Sequence, residues 1–247
     1  MARRDDILDF ARDLLDLDSY HDYGPMGLQV AGAEEVTKIA ASVSCSRELF
    51  ERTAQAGAQL LYVHHGLFWE GDSRVVDVQM KGRLRALFDG DITLAAYHLA
   101  LDAHPEIGNN ALLAAELGIL ERERFLEWGY GGPLSEPVAL EELVRRLKAA
   151  TGRDPQVFRG GPERIERVAV ITGGAAKLVP QAAAAGYHAF VTGEPAEPTM
   201  HLSRELGIHF LAGGHYATET QGITALAQRT AERFSLDWEF LDVPVPV

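Results

Sequence analysis

Apolar positions recur along the chain in two rhythms, and their alternation predicts helices and strands in turn. Residues 5–17 place Ile7, Leu8, Phe10, Ala11, Leu14 and Leu15 at helical spacing, with Asp and Arg between them. That is an amphipathic surface helix. Residues 27–32 and 38–43 read as strands, and residues 46–56 as a helix capped by Ser46 and stopped at Gly57. The run Gln59-Leu60-Leu61-Tyr62-Val63 reads as a buried strand that gives way to His64-His65-Gly66. Residues 78–88 form a helix stopped at Gly90, and residues 92–98 an apolar strand of the kind buried in a parallel sheet. Residues 99–105 read as a loop, and 111–117 as a helix with Asn109 and Asn110 at its N-cap and Gly118 past its end. Gly129-Tyr130-Gly131-Gly132-Pro133 interrupts the pattern and is the best domain boundary. Beyond it, helices are predicted over 140–150, 177–185, 199–206 and 218–234, and strands over 167–171, 188–192, 208–211 and 238–243. Thr218 with Gln221 fits a capping box for the last helix. Strands alternating with helices predict an α/β protein with largely parallel sheets.

The two halves follow one plan. The 18 positions from Ile39 to Gly57 reappear from Val168 to Gly186, an offset of 129. The same offset lays His64 over Gly193 and His65 over Glu194. Each half then has a third strand ending in a histidine with an acid four residues later: His98 with Asp102, and His215 with Glu219. Common descent or convergent βαβ spacing would leave the same echo.

In open parallel sheets, ligand-binding groups collect beyond the carboxyl ends of the strands. His64, His65, His98 and Asp102 occupy such ends in one half, and Glu194, His215 and Glu219 in the other. Neighbouring strand residues point to opposite faces. At a strand end, with Gly66 freeing the backbone, two imidazoles can still converge. Each residue alone has a plain reading. His64-His65 is an ordinary strand end, Asp102 a turn aspartate, and Glu219 an acid favoured by a helix dipole. His215 alone is a satisfied core or cap residue. His98 is a ligand or the partner that orients one. Taken together, three histidines and two carboxylates suit Zn, Fe, Mn, Co or Ni better than Ca or Mg. Five ligands also exceed the three that one catalytic zinc commonly keeps, so a two-metal centre is expected. Thr172-Gly173-Gly174 reads as turn chemistry rather than a phosphate cradle, and His104 as a loop residue.

Composition narrows the substrate class. A formal net charge of −13 argues against a broad surface that grips nucleic-acid phosphates, but not against a small anionic substrate. The single cysteine, Cys45, excludes a disulfide framework and a cysteine-rich zinc site, and reads as an inert thiol. The amino-terminal residues turn acidic at once, with no apolar core of a secretory signal, and no apolar run approaches a membrane span. A cytoplasmic location is expected.

Several ordered motifs now resemble a known family, GTP cyclohydrolase 1 type 2 and its homologs, the NIF3-like dinuclear-metal proteins. They are residues 63–69 (Val-His-His-Gly-Leu-Phe-Trp), residues 97–105 with Gly108-Asn109-Asn110, Thr192-Gly193-Glu194, residues 214–219, the tail Phe240-Leu241-Asp242-Val243-Pro244, and Gly27-Leu28-Gln29-Val30. The likeness covers nearly the whole chain and is strongest to short bacterial members that lack a mid-chain insertion. Met26 stands where many members carry Asn. The resemblance implies two interlinked, pseudo-repeated α/β domains, here 1–126 with 220–247 and 127–219. It implies two divalent metal ions per subunit, held by His64, His65, Asp102, His215 and Glu219, and a homohexameric toroid with the sites facing an inner cavity. It also implies a metal-bound hydroxide attacking a purine nucleotide, GTP or a damaged one. His98 and Glu194 are the proton-shuttle candidates. A generic dinuclear phosphoester or amide hydrolase and a non-enzymatic metal-binding assembly are the competing readings.

Overall fold

A computed structural model describes residues 1–247. The chain forms two compact units, Met1–Leu101 with Gly222–Val243, and Asp102–Gln221 with Pro244–Val247. Both are mixed α/β.

The first unit carries a five-stranded sheet in the order Asp237–Phe240, Lys38–Ser44, Leu60–His65, Thr93–Ala96, Gly27–Val30. The first four strands run parallel and the Gly27–Val30 edge is antiparallel. Helix Arg47–Gln55 starts at Ser46, whose hydroxyl accepts the Leu49 N–H as the sequence predicts. Leu49 and Phe50 from this helix and Leu87 from helix Val78–Asp89 pack on Leu61, Val63 and Leu94, all fully buried. The strands are nearly flush, with Ile39 opposite Leu60 and Leu60 opposite Thr93. Their carboxyl ends therefore finish together, at Ser44, His65 and Ala96.

The second unit has six strands in the order Glu123–Phe125, Gly129–Val138, Ile165–Val170, Ala189–Thr192, His209–Ala212, Gln156–Phe158. Only Ile165–Val170, Ala189–Thr192 and His209–Ala212 are mutually parallel. The flanking strands are antiparallel, so this sheet is less parallel than the sequence predicts. The internal echo holds at the level of register. Ile39 faces Leu60 in one sheet, and Val168 faces Ala189, each 129 positions on, in the other.

Three local predictions fail. The glycine-rich 129–133 stretch is part of the ten-residue strand Gly129–Val138 inside the second unit. Its glycines answer to packing: a Cβ on Gly131 would stand 2.4 Å from the Tyr187 hydroxyl. Residues 99–105 are not all loop, because Leu99–Ala103 closes a short helix. The short strands Glu123–Phe125 and Gln156–Phe158 had no alternating pattern to reveal them. No helix is long and apolar enough to cross a membrane.

Candidate metal centre

In the first unit His64 and His65 both belong to the strand Leu60–His65 itself. Because the sheet ends there, the two rings escape the usual opposition of faces, and their centroids lie 4.8 Å apart. His64 is fully buried, and its Nδ1 lies 2.9 Å from the Tyr97 carbonyl. A carbonyl only accepts, so Nδ1 carries the proton and the neutral ring keeps its lone pair on Nε2. His65 Nδ1 lies 2.9 Å from the hydroxyl of Ser44, its register partner on the adjacent strand. His98 joins them: one ring nitrogen from each of His64, His65 and His98 lies within 4.8 Å of the others, a grouping that could hold a metal ion.

His98 is held by a residue the sequence reading passed over. Asp22 Oδ1 accepts from His98 Nδ1 at 2.8 Å and from the Tyr23 N–H at 2.6 Å, while Oδ2 accepts the Leu99 N–H at 2.8 Å. Burial alone would raise the Asp22 carboxyl, but these hydrogen bonds and the facing imidazole bring it below its ordinary range. Asp22 also supplies the missing cap for helix Leu99–Ala103. The cap comes from 77 residues away, so no local sequence signal announced that helix. Trp69 stands edge-on to His98 at 5.0 Å and ties its indole N–H to the Gly66 carbonyl.

In the second unit Asp102 is buried and tethered. Asn109 Nδ2 donates to Asp102 Oδ1 at 2.8 Å, and the Thr172 hydroxyl lies 3.4 Å from the same oxygen. Asn110 Nδ2 reaches the Asp102 and Trp128 carbonyls, and its Oδ1 accepts the Thr172 N–H at 2.7 Å. The asparagines expected as caps are therefore the first two residues of helix Asn109–Glu116, with their amides turned to Asp102 and Thr172.

Glu219, 2% exposed, sits between helix His215–Thr218 and helix Thr220–Phe234 rather than inside a first turn. Thr218 is not its cap, since that hydroxyl accepts the Gly173 N–H and donates to the His215 carbonyl. His215 Nε2 lies 3.4 Å from Glu219 Oε2, and His215 Nδ1 lies 3.5 Å from Glu194 Oε1. Asp102 and Glu219 bring carboxylate oxygens within 4.8 Å of each other. Gly173 makes room for this cluster. With φ +67°, it would carry a Cβ 2.2 Å from Glu219 Oε1 and 3.1 Å from His215 Nε2. The Thr172-Gly173-Gly174 turn thus faces a carboxylate, which fits turn chemistry and not a phosphate cradle.

Three of the five remaining histidines have local duties. His104 Nδ1 accepts two backbone N–H groups of its own turn, His188 Nδ1 accepts the Glu166 N–H, and His209 bonds the Pro162 carbonyl. Cys45 is partly buried against the first core, and desolvation pushes its thiol above the ordinary range.

Comparison with known proteins places this architecture. The family model Duf34/NIF3 (NGG1p interacting factor 3) matches residues 2–245. A protein of Escherichia coli K12 named "GTP cyclohydrolase 1 type 2 homolog" is 46% identical over 230 residues, 91% of this chain and 92% of that one. The solved structure of protein ybgI superposes with a TM-score of 0.95 at 42% identity and full coverage of both chains. That of TTHA1606 from Thermus thermophilus gives 0.94 at 37% identity, again with full coverage. The chain belongs to the Duf34/NIF3 family.

Proposed function

We propose that His64, His65, Asp102, His215 and Glu219 hold two divalent cations of the Zn, Fe, Mn, Co or Ni class, and that the chain is a metal-dependent hydrolase of purine nucleotides. The observation that carries this reading is the way each unit holds its donors by their far atoms. His64 and His65 are fixed through Nδ1, and Asp102 is fixed through Oδ1 by Asn109. Such outer contacts orient ligands at metal sites and set which atom faces the ion. The donor chemistry fits the same cations, and the space kept by Gly173 fits a carboxylate that must stay in place.

Cations held there would acidify water and polarise an electrophilic carbon or phosphorus. The chain's own groups do the rest. Tyr97 O and Ser44 Oγ keep His64 and His65 in orientation. Glu194 steadies His215 from the Nδ1 side and, at 42% side-chain exposure, would move protons between solvent and its carboxylate. His98, the other shuttle candidate, has Nδ1 committed to Asp22 and acts as a holder. The choice of purine nucleotide, and of GTP in particular, is supported by the names of the curated relatives. We further propose a cytoplasmic homohexamer, which light scattering would register at six times the chain mass.

The test is to incubate metal-loaded protein with GTP and with a panel of phosphoesters and amides, beside a His64→Ala, His65→Ala control. Formate release from GTP by wild type alone supports the cyclohydrolase. Turnover of a model ester without formate release favours a generic dinuclear hydrolase. No turnover above the control overturns the enzymatic reading.

A further inference from the structure

We propose that the tail Pro244–Val247 and Arg153 are the positioning elements of His215 in the second unit. The tail caps the short helix that His215 opens, and Arg153 ties the tail to the turn before it. The proposal rests on the assignment of His215 as a metal ligand and names the parts of the chain that keep it in place.

A helix of four residues does not hold itself. His215–Thr218 completes a single turn, and a first turn costs more backbone freedom than its hydrogen bonding returns. The opening N–H groups of any helix have no partner within it. Gly214, the residue before this one, has no side chain with which to cap them. The tail serves instead: the Tyr216 N–H donates to the main-chain oxygen of Val247 at 3.3 Å. One residue earlier, the Pro246 carbonyl accepts from Arg153 Nη2 at 3.0 Å. Arg153 stands just past helix Leu140–Thr151, which is anchored by the fully buried Leu143 and Leu147. The guanidinium therefore fastens the tail to a well-packed element. The same side chain lies against the turn that leads into His215. A Cβ on Gly214 would stand 2.6 Å from Arg153 Nη1 and 2.7 Å from its Cδ. The neighbouring strand end completes the seat, since the Gly213 and Gly214 N–H groups donate to the Thr192 and Gly193 carbonyls at 2.9 and 2.8 Å. The ring itself is held more loosely. Glu194 and Glu219 lie 3.5 and 3.4 Å from its nitrogens, beyond the roughly 2.7–2.9 Å of a firm charge-assisted bond. The aim of His215 thus depends on where its backbone is put, and Arg153 with the tail puts it there.

The experiment compares the full chain with Arg153→Gln and with a chain ending at Val243, first metal-free in hydrogen exchange and then titrated with Co²⁺. Exchange of the Tyr216 amide should quicken at least about tenfold in both variants, while amides of the Ile165–Val170 strand keep their wild-type protection. Co²⁺ affinity should fall at least about tenfold, as on loss of outer contacts that orient metal ligands. Arg153→Lys, which keeps a cationic donor, should recover part of the loss. Lys148→Ala, which removes the exposed ion pair to Asp154, should match wild type in both measurements. If the shortened chain does not fold, Arg153→Gln decides. Faster Tyr216 exchange with wild-type Co²⁺ affinity overturns the proposal and leaves His215 standing as a ligand. So does a loss of affinity matched by an equal loss of protection across the unit, which marks a merely structural role. Co²⁺ affinity unchanged by His215→Ala overturns the ligand assignment itself, and the proposal with it.

Discussion

Gly173→Ala separates the backbone demand of a turn from the demand of the centre it faces. Gly173 has φ +67°, where an L-residue costs about 1–2 kcal/mol. For a chain of this length that lowers Tm by roughly 2–8 °C. The new methyl would also stand 2.2 Å from Glu219 Oε1, when apolar contacts settle near ~3.5 Å. The carboxylate would have to retreat by about 1 Å, several times the ~0.2 Å tolerance of a metal–ligand bond. Gly186→Ala is the matched control, with φ +77° in the same unit and nothing within 4 Å of its Cβ. Both variants should lose similar stability in the metal-free state. Only Gly173→Ala should lose bound metal, measured by elemental analysis and calorimetric titration, with affinity down at least about tenfold. Equal metal content in the two variants would refute the placement of Glu219 as a ligand.

Other outcomes follow from the same geometry. Asn109→Leu takes a buried donor from Asp102; it should cost about 1–3 kcal/mol in chemical denaturation and weaken metal binding about 10–100-fold. Removal of metal by chelator should lower Tm, and adding metal back at ~100 times its Kd should restore about 2.7 kcal/mol, since only the folded chain presents the set. Hydrogen bonds from Arg145 and Arg146 hold the Glu142 carboxyl at about 2, against an ordinary 4.5. A lowered carboxyl stabilises above its unfolded value and loses that contribution as pH falls through its folded one. The Tm gap between wild type and Glu142→Gln should therefore close between about pH 4.5 and 2, and a gap that persists at the acid end would contradict the ion pair.

What the sequence made legible was whatever depends on local periodicity. Helix Arg47–Gln55 with its Ser46 cap, and the strand pairs offset by 129, were visible because each repeats a short-range rule. The strand-end argument collected His64, His65, His98 and Asp102 from one half and Glu194, His215 and Glu219 from the other; His64, His65 and His98 do lie together in the first unit, whereas Asp102 falls with His215 and Glu219 in the second. Asp22 was missed because its meaning lies 76 residues away at His98, and His21-Asp22-Tyr23 has no periodicity of its own. Asn109 and Asn110 were misread as caps because that is what their position rewards in isolation, whereas here their amides answer to Asp102 and Thr172. The strand Gly129–Val138 was hidden by glycines that look like a linker until Tyr187 is seen filling the space beside Gly131.

Anomalous diffraction from crystals of protein purified without chelator, recorded at the absorption edge of the bound metal, tests the five-residue centre most directly. Two peaks are predicted, each within ligand distance of residues drawn from His64, His65, Asp102, His215 and Glu219. A map with no peak at these side chains, from protein that retains metal elsewhere or none at all, would contradict it.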